Sequence, residues 1–189
     1  MHRLIDGDIL YHASYAEIKK IDLDKCSLRK DFGHGFYLTT DFEQAKNFVK
    51  SGVYRAISES IIPSDRNYGY VNVYRLISAN GINEYDFEAA DRGWLHYVAG
   101  NRSPGFFRDE IAALESYNVI GGKIANDRTA TTLNLYIGYG YGIPGEDDAD
   151  NFCIRALLPN RLKNQYCFKE ETAVKQLEFV KSIRVELDI

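Results

Sequence analysis

The apolar residues of this chain come in short runs closed off by glycine and turn residues, and none approaches the ~18 apolar residues of a membrane-crossing helix. Such punctuation confines the chain to short strands and medium helices around a shared core. Ile9-Leu10-Tyr11-His12, bounded by Gly7 and Ser14, reads as a strand, and so does Gly35-Phe36-Tyr37-Leu38-Thr39. Thr40 and Asp41 precede Glu43 and Gln44 at capping-box spacing, with Phe42, Ala45, Phe48 and Val49 following at helical intervals, which predicts an amphipathic helix. Strand patterning returns over 70–77 and stops at the Asn80-Gly81 turn. A helix is expected between Phe87 and Asn101, ending at Gly100, with a loop from Arg102 to Gly105. Residues 118–122 read as a short buried strand, and 129–139 as a helix by apolar spacing or a strand by threonine and tyrosine content, with helix preferred. A helix over 147–158 stops before Pro159. A strand over 165–168, a short helix through Leu177 and an alternating strand over 179–187 complete the order.

Strands outnumber long helices and do not alternate regularly with them, which predicts an α+β fold with antiparallel sheets rather than a doubly wound parallel one. With no repeat or linker, residues 1–189 are expected to form one domain. Lys and Arg number 23 against 27 Asp and Glu, so the net charge of -4 offers no global attraction for nucleic acid. Asp6 and Asp8 interrupt the apolar core that a signal peptide needs, so a cytoplasmic chain without a membrane partner is expected. Cys26, Cys153 and Cys167 are odd in number and lack zinc-knuckle spacing; buried reduced thiols and no bound metal are the expectation. The 14 tyrosines suit a half-wet sheet core or a stacking cleft.

Three segments carry the chemistry: Leu10-Tyr11-His12-Ala13-Ser14, then the stretch from Asp31 through Phe32-Gly33-His34-Gly35-Phe36-Tyr37 to Asp41, then Asn164-Gln165-Tyr166-Cys167-Phe168. Together they resemble the ADP-ribosyltransferase superfamily of the diphtheria-toxin and poly(ADP-ribose) polymerase type, whose strands carry His, Tyr and Glu in that order. Through Trp94-Leu95, Asn101-Arg102 and the run from Val119 to Asp127, the chain is also similar to a bacterial family of unknown function within that clan. The resemblance implies two small antiparallel sheets forming an NAD cleft with peripheral helices. It also implies transfer of ADP-ribose to an acceptor that the sequence does not identify: protein, nucleic acid, small molecule or water. Some members of such families are toxins paired with an antitoxin, which adds an antitoxin to the partners the resemblance allows.

By this resemblance His12 holds a ribose hydroxyl, with the backbone of Ala13 and the adjoining Ser14 beside the nicotinamide amide. Tyr37 and Phe48 sandwich the cationic ring, and Ala45 stands where the polymerases have a serine. Gly33 and Gly35 allow a tight turn and close approach to a nucleotide. Gln165 occupies the place of the glutamate that grips the ribose 2'-hydroxyl, so the electrostatic half of that role is missing. Asp127, with Asn126 before it, is the substitute carboxylate, or equally a cap on the helix that follows. Asn101 and Arg102 are candidates for the pyrophosphate or the acceptor, or a surface loop. His34 fits a ligand-facing donor or a turn residue, and Glu170 and Glu171 a helix start. An enzyme, a non-catalytic module binding NAD or ADP-ribose, and a protein-interaction module all fit a chain with glutamine at 165.

Overall fold

Two small sheets carry the fold in a computed structural model that describes residues 2–124, 127–157 and 163–187, the side chains of Asp127 and Arg128 excepted. The first sheet orders β1 (Ile9–Ser14), β3 (Tyr68–Leu76) and β7 (Leu177–Glu186), antiparallel throughout, with His12 opposite Asn72. The second orders β2 (Phe36–Leu38), β6 (Asn164–Phe168), β5 (Val119–Lys123) and β4 (Glu84–Asp86). The α+β class with two small sheets holds. The antiparallel expectation needs one correction, because β4 runs parallel to β5. The intervening chain crosses over through α2 (Arg92–Arg102) and α3 (Arg108–Ala113), and a crossover of that kind returns a strand parallel to its neighbour.

Period-two alternation on β1 decides the layering. Tyr11 and Ala13 face α1 (Phe42–Ser58), whose Ala45, Val49 and Val53 pack on Val71 of β3. Leu10 faces the opposite way, joining Phe36, Leu38, Tyr74, Leu76, Tyr166 and Phe168 between the two sheets. Behind the second sheet, α2, α4 (Asp127–Ile137) and α5 (Asp147–Leu157) close a further core around Trp94, Leu95, Ile120, Leu133 and Cys153. The order through the molecule is therefore helix, sheet, sheet, helices.

Capping follows the sequence. The Asp41 carboxylate accepts the Gln44 amide at 2.9 Å to open α1, and that of Asp91 accepts Trp94 at 3.0 Å to open α2. The expected helix at 87–101 starts later for that reason. The stretch 127–137 is helical, whereas Leu177 begins β7 instead of closing the short α6 (Glu171–Val174). Tyr74, Tyr136 and Tyr166 are fully buried with their hydroxyls donating to Ile18 O, Asp150 and His2 O, the half-wet use expected of tyrosine. Cys26, Cys153 and Cys167 are free thiols, the latter two buried. Among the described residues no helix is long and apolar enough to cross a membrane.

Candidate functional site

β1 is an edge strand, and where β2 meets it the two sheets touch. Tyr11 exchanges both backbone hydrogen bonds with Thr39, at 2.8 and 3.0 Å. One residue on, the His12 Nδ1–H donates to the Tyr37 carbonyl at 2.7 Å. A carbonyl only accepts, so the proton sits on Nδ1 and Nε2 keeps a lone pair. Backbone groups on a strand alternate sides, so Ala13, two residues past Tyr11, directs its N–H and C=O away from β3, beyond the point where Thr39 pairs.

That edge opens onto a cavity of about 880 Å³. Its walls are the end of β1, β2, one face of α1 bearing Ala45, Phe48, Ser51, Gly52 and Arg55, and the 14–31 segment. The segment is held over the sheet by polar groups of β3. Asn72, wholly buried, accepts the Ile18 amide at 2.9 Å and donates to Ala16 O at 3.1 Å, and the Tyr74 hydroxyl donates to Ile18 O at 2.6 Å. Every polar atom of the Asn72 side chain is thereby used, since Ser182 also donates to its oxygen at 2.7 Å.

Burial drives the His12 imidazole down to about 4, against the opposing hydrogen bond to Tyr37, so the ring is neutral at pH 7. Its face stacks on Phe36 with centroids 4.2 Å apart. Lys30 is held below the ordinary lysine range by burial and by the nearby Arg55 and Arg102 cations, with Asp31 opposing. Lys30, Arg55 and Arg102 line the cavity together with Asp31 and Glu59, and Arg102 is paired to Asp31, so one end of it holds three cations against two carboxylates.

The Tyr37 hydroxyl faces the chain itself. It accepts the Phe32 amide and donates to Gly33 O, both at 2.8 Å, and burial pushes the phenol well above its ordinary value. The ring still borders the cavity. Its hydroxyl clamps the turn after Asp31, whose side chain is 9% exposed. Arg102 at the end of α2 donates to Asp31 Oδ1 from Nε at 2.9 Å and from Nη2 at 2.5 Å, while Gln165 of β6 donates from Nε2 to Asp31 Oδ2 at 2.9 Å. Asp31, Arg102 and Gln165 meet at the cavity floor. Sequence reading missed Asp31 as a site residue. Its only signal was a charged residue directly ahead of the glycine turn, since its partners stand 71 and 134 positions away.

His12, Ala13, Ser14, Gly35, Tyr37, Phe48, Arg102 and Gln165 thus line one cavity, as does Ala45. Ser14 is turned partly inward, its hydroxyl accepting the Ala16 amide at 3.2 Å. Gly35 is required by its neighbours rather than a ligand: a Cβ there would stand 2.5 Å from Cys167 Sγ and 2.7 Å from Phe168 O. Gly33, at φ +79°, and Asn101 lie behind the turn, off the cavity. The Asn101 amide donates to Tyr97 O of its own helix at 2.9 Å and its oxygen packs on Gly33, so neither residue lines this cavity. His34 is bound to Leu23 O at 2.7 Å, a structural use. His96 lies between Glu110 at 3.1 Å and Asp150 at 2.7 Å, away from the cavity. Asn126 and the Asp127 side chain fall outside the described residues. No group of three or more metal-ligating side chains occurs among the described residues.

No curated protein matches the chain. Residues 9–179, from the first residue of β1 into β7, match the family described as "Protein of unknown function (DUF3990)", and with a match of that extent the protein belongs to it.

Proposed function

We propose that the cavity binds NAD and that the protein transfers its ADP-ribose to an acceptor. The observation that carries this reading is the unpaired edge at Ala13, flanked by the His12 imidazole and by Phe48 in one cavity. A carboxamide needs one donor and one acceptor side by side, and a strand edge offers that pair. A volume near 880 Å³ lies in the range of about 300–1,000 Å³ typical of ligand sites. Lys30 and Arg55, side by side on the cavity wall, suit a diphosphate.

In this reading the carboxamide sits on Ala13, and the pyridinium lies between Phe48 and Tyr37, each ring contributing about 0.5–2 kcal/mol. Neutral His12 accepts a ribose hydroxyl at Nε2, acting as a positioning group and not as a base. The C1'–N bond breaks with its electron pair leaving on the nicotinamide nitrogen. Positive charge spreads over C1' and the ring oxygen, as in glycoside cleavage. A lone pair of the acceptor then closes the new bond to C1', and the acceptor loses its proton to solvent.

The test is incubation of labelled NAD with the protein and a cell lysate, reading nicotinamide release and transferred label. Release that is lost in the His12→Ala variant is the expected result. A folded wild-type protein that neither binds nor cleaves NAD overturns the reading. Saturable binding without release retains the cavity assignment and removes the transferase.

A further inference from the structure

Gln165 is neutral, and an amide has two unlike ends. Which end faces a ligand depends on what holds the other. Asp31 settles that choice. A carboxylate at neutral pH only accepts, so the NH2 end of Gln165 turns to Asp31 Oδ2 at 2.9 Å, and Oε1 is the end left for other partners. Arg102 occupies the other oxygen of Asp31 with two donors, and the Tyr37 hydroxyl clamps the Phe32–Gly33 turn that follows it. Gln165 is 5% exposed and lines the cavity. Opposite it on β5 stands Gly122, where a Cβ would meet Phe32 Cζ at 2.8 Å, so the backbone beneath the pair has no slack.

We propose that Asp31 is a positioning residue for the transfer reaction: it fixes the Gln165 amide with its carbonyl oxygen toward the ribose and sets a carboxylate, ion-paired to Arg102, directly behind that amide. The inference rests on the NAD reading above. Gln165 supplies the hydrogen-bond acceptor, and the carboxylate that a glutamate would carry stands one side chain further back, on Asp31. The pair divides between two residues what a single carboxylate does.

The geometry makes a sharp test. In Asp31→Asn, the new amide keeps its oxygen on Arg102 and turns its NH2 to position 165, where it meets the NH2 of the glutamine. The glutamine must flip and present its donor end to the ribose. Adding Gln165→Glu restores the bond between positions 31 and 165 with donor and acceptor exchanged, and moves the carboxylate to the ribose side. NAD turnover is measured for wild type, Asp31→Asn, Gln165→Glu and the double variant, with thermal denaturation of each as the fold control.

The expected result is that Asp31→Asn loses about 100-fold in kcat with KM for NAD little changed, and that the double variant recovers to the wild-type rate or beyond it. Should Asp31→Asn fail to fold, the double variant is compared with Gln165→Glu alone, which sets two carboxylates side by side. The double is then expected to be at least tenfold faster. A wild-type rate in Asp31→Asn, or a double variant no faster than the single ones, overturns the role of Asp31 while leaving the NAD reading intact. A wild-type protein that does not bind or cleave NAD overturns that reading, and the role of Asp31 with it.

Discussion

His12 Nδ1 stands 2.7 Å from the Tyr37 carbonyl oxygen and donates to it, so a side chain of the first sheet is fastened to the backbone of the second beside the Tyr11–Thr39 bridge. The bond sets the tautomer of the imidazole, and burial keeps it uncharged. Protonating His12 forces a second N–H into a buried setting.

Acid stability follows from that. The His12 value falls from 6.5 to about 4 on folding, so between those limits the unfolded chain binds more protons. Its contribution to stability is complete above about pH 6.5 and is lost as pH drops toward 4, amounting to about 3 kcal/mol at most. In urea titrations from pH 7 to 4, a His12→Gln variant is expected to show a shallower loss of stability than wild type. Equal slopes contradict the assignment.

Glu84 has the opposite sign. Burial, opposed by the Leu4 amide and helped by Asp86 beside it, raises its carboxyl to about 7. A raised folded value means stability that is full below about 4.5 and declines as pH climbs through 7. Glu84→Gln is therefore expected to raise the melting temperature at pH 8 and to change it little at pH 4.5, as read by calorimetry.

Asp150, 1% exposed, gathers Arg92 Nε at 2.8 Å, His96 at 2.7 Å and the Tyr136 hydroxyl, joining α2, α4 and α5. Removing it strands the buried Tyr136 hydroxyl and the buried His96 ring. Asp150→Ala is expected to cost about 1–3 kcal/mol for each group left unsatisfied in denaturant unfolding. NAD affinity of the folded fraction should not change, because the cluster lies away from the cavity walls.

Phe48 makes the cleanest binding test. It is half-buried on the cavity face of α1, whereas Val49 behind it is fully buried in the core. Phe48→Ala is expected to weaken NAD binding by about 0.5–2 kcal/mol, with Phe48→Tyr close to wild type. Isothermal calorimetry reads both.

What was legible in the sequence was local or carried by spacing. The Asp41 cap, its Gln44 partner and the α1 stripe lie within about two turns of each other, and the runs at 9–12 and 70–77 read as the strands in which they lie for most of their length. The positions of His12, Tyr37, Phe48 and Gln165 followed from a family pattern, and one cavity receives all four. Three features were hidden. Asp31 acquires its meaning only when the end of α2 and the middle of β6 arrive beside it. β4, three residues reading Glu-Tyr-Asp, is too short and too acidic to announce a strand, and its parallel pairing with β5 is a tertiary fact. Asn101 carries a side chain suited to a ligand, yet its helix already supplies a carbonyl one turn back.

In the NAD reading proposed above, the strand edge at Ala13 receives the nicotinamide end. Backbone amide spectra of the labelled protein during an NAD titration report on that edge. A saturable shift of the Ala13 N–H, accompanied by Phe48 and absent in the His12→Ala variant, is the predicted result. Saturation with shifts confined to residues outside the cavity, or no shift at millimolar NAD, contradicts it.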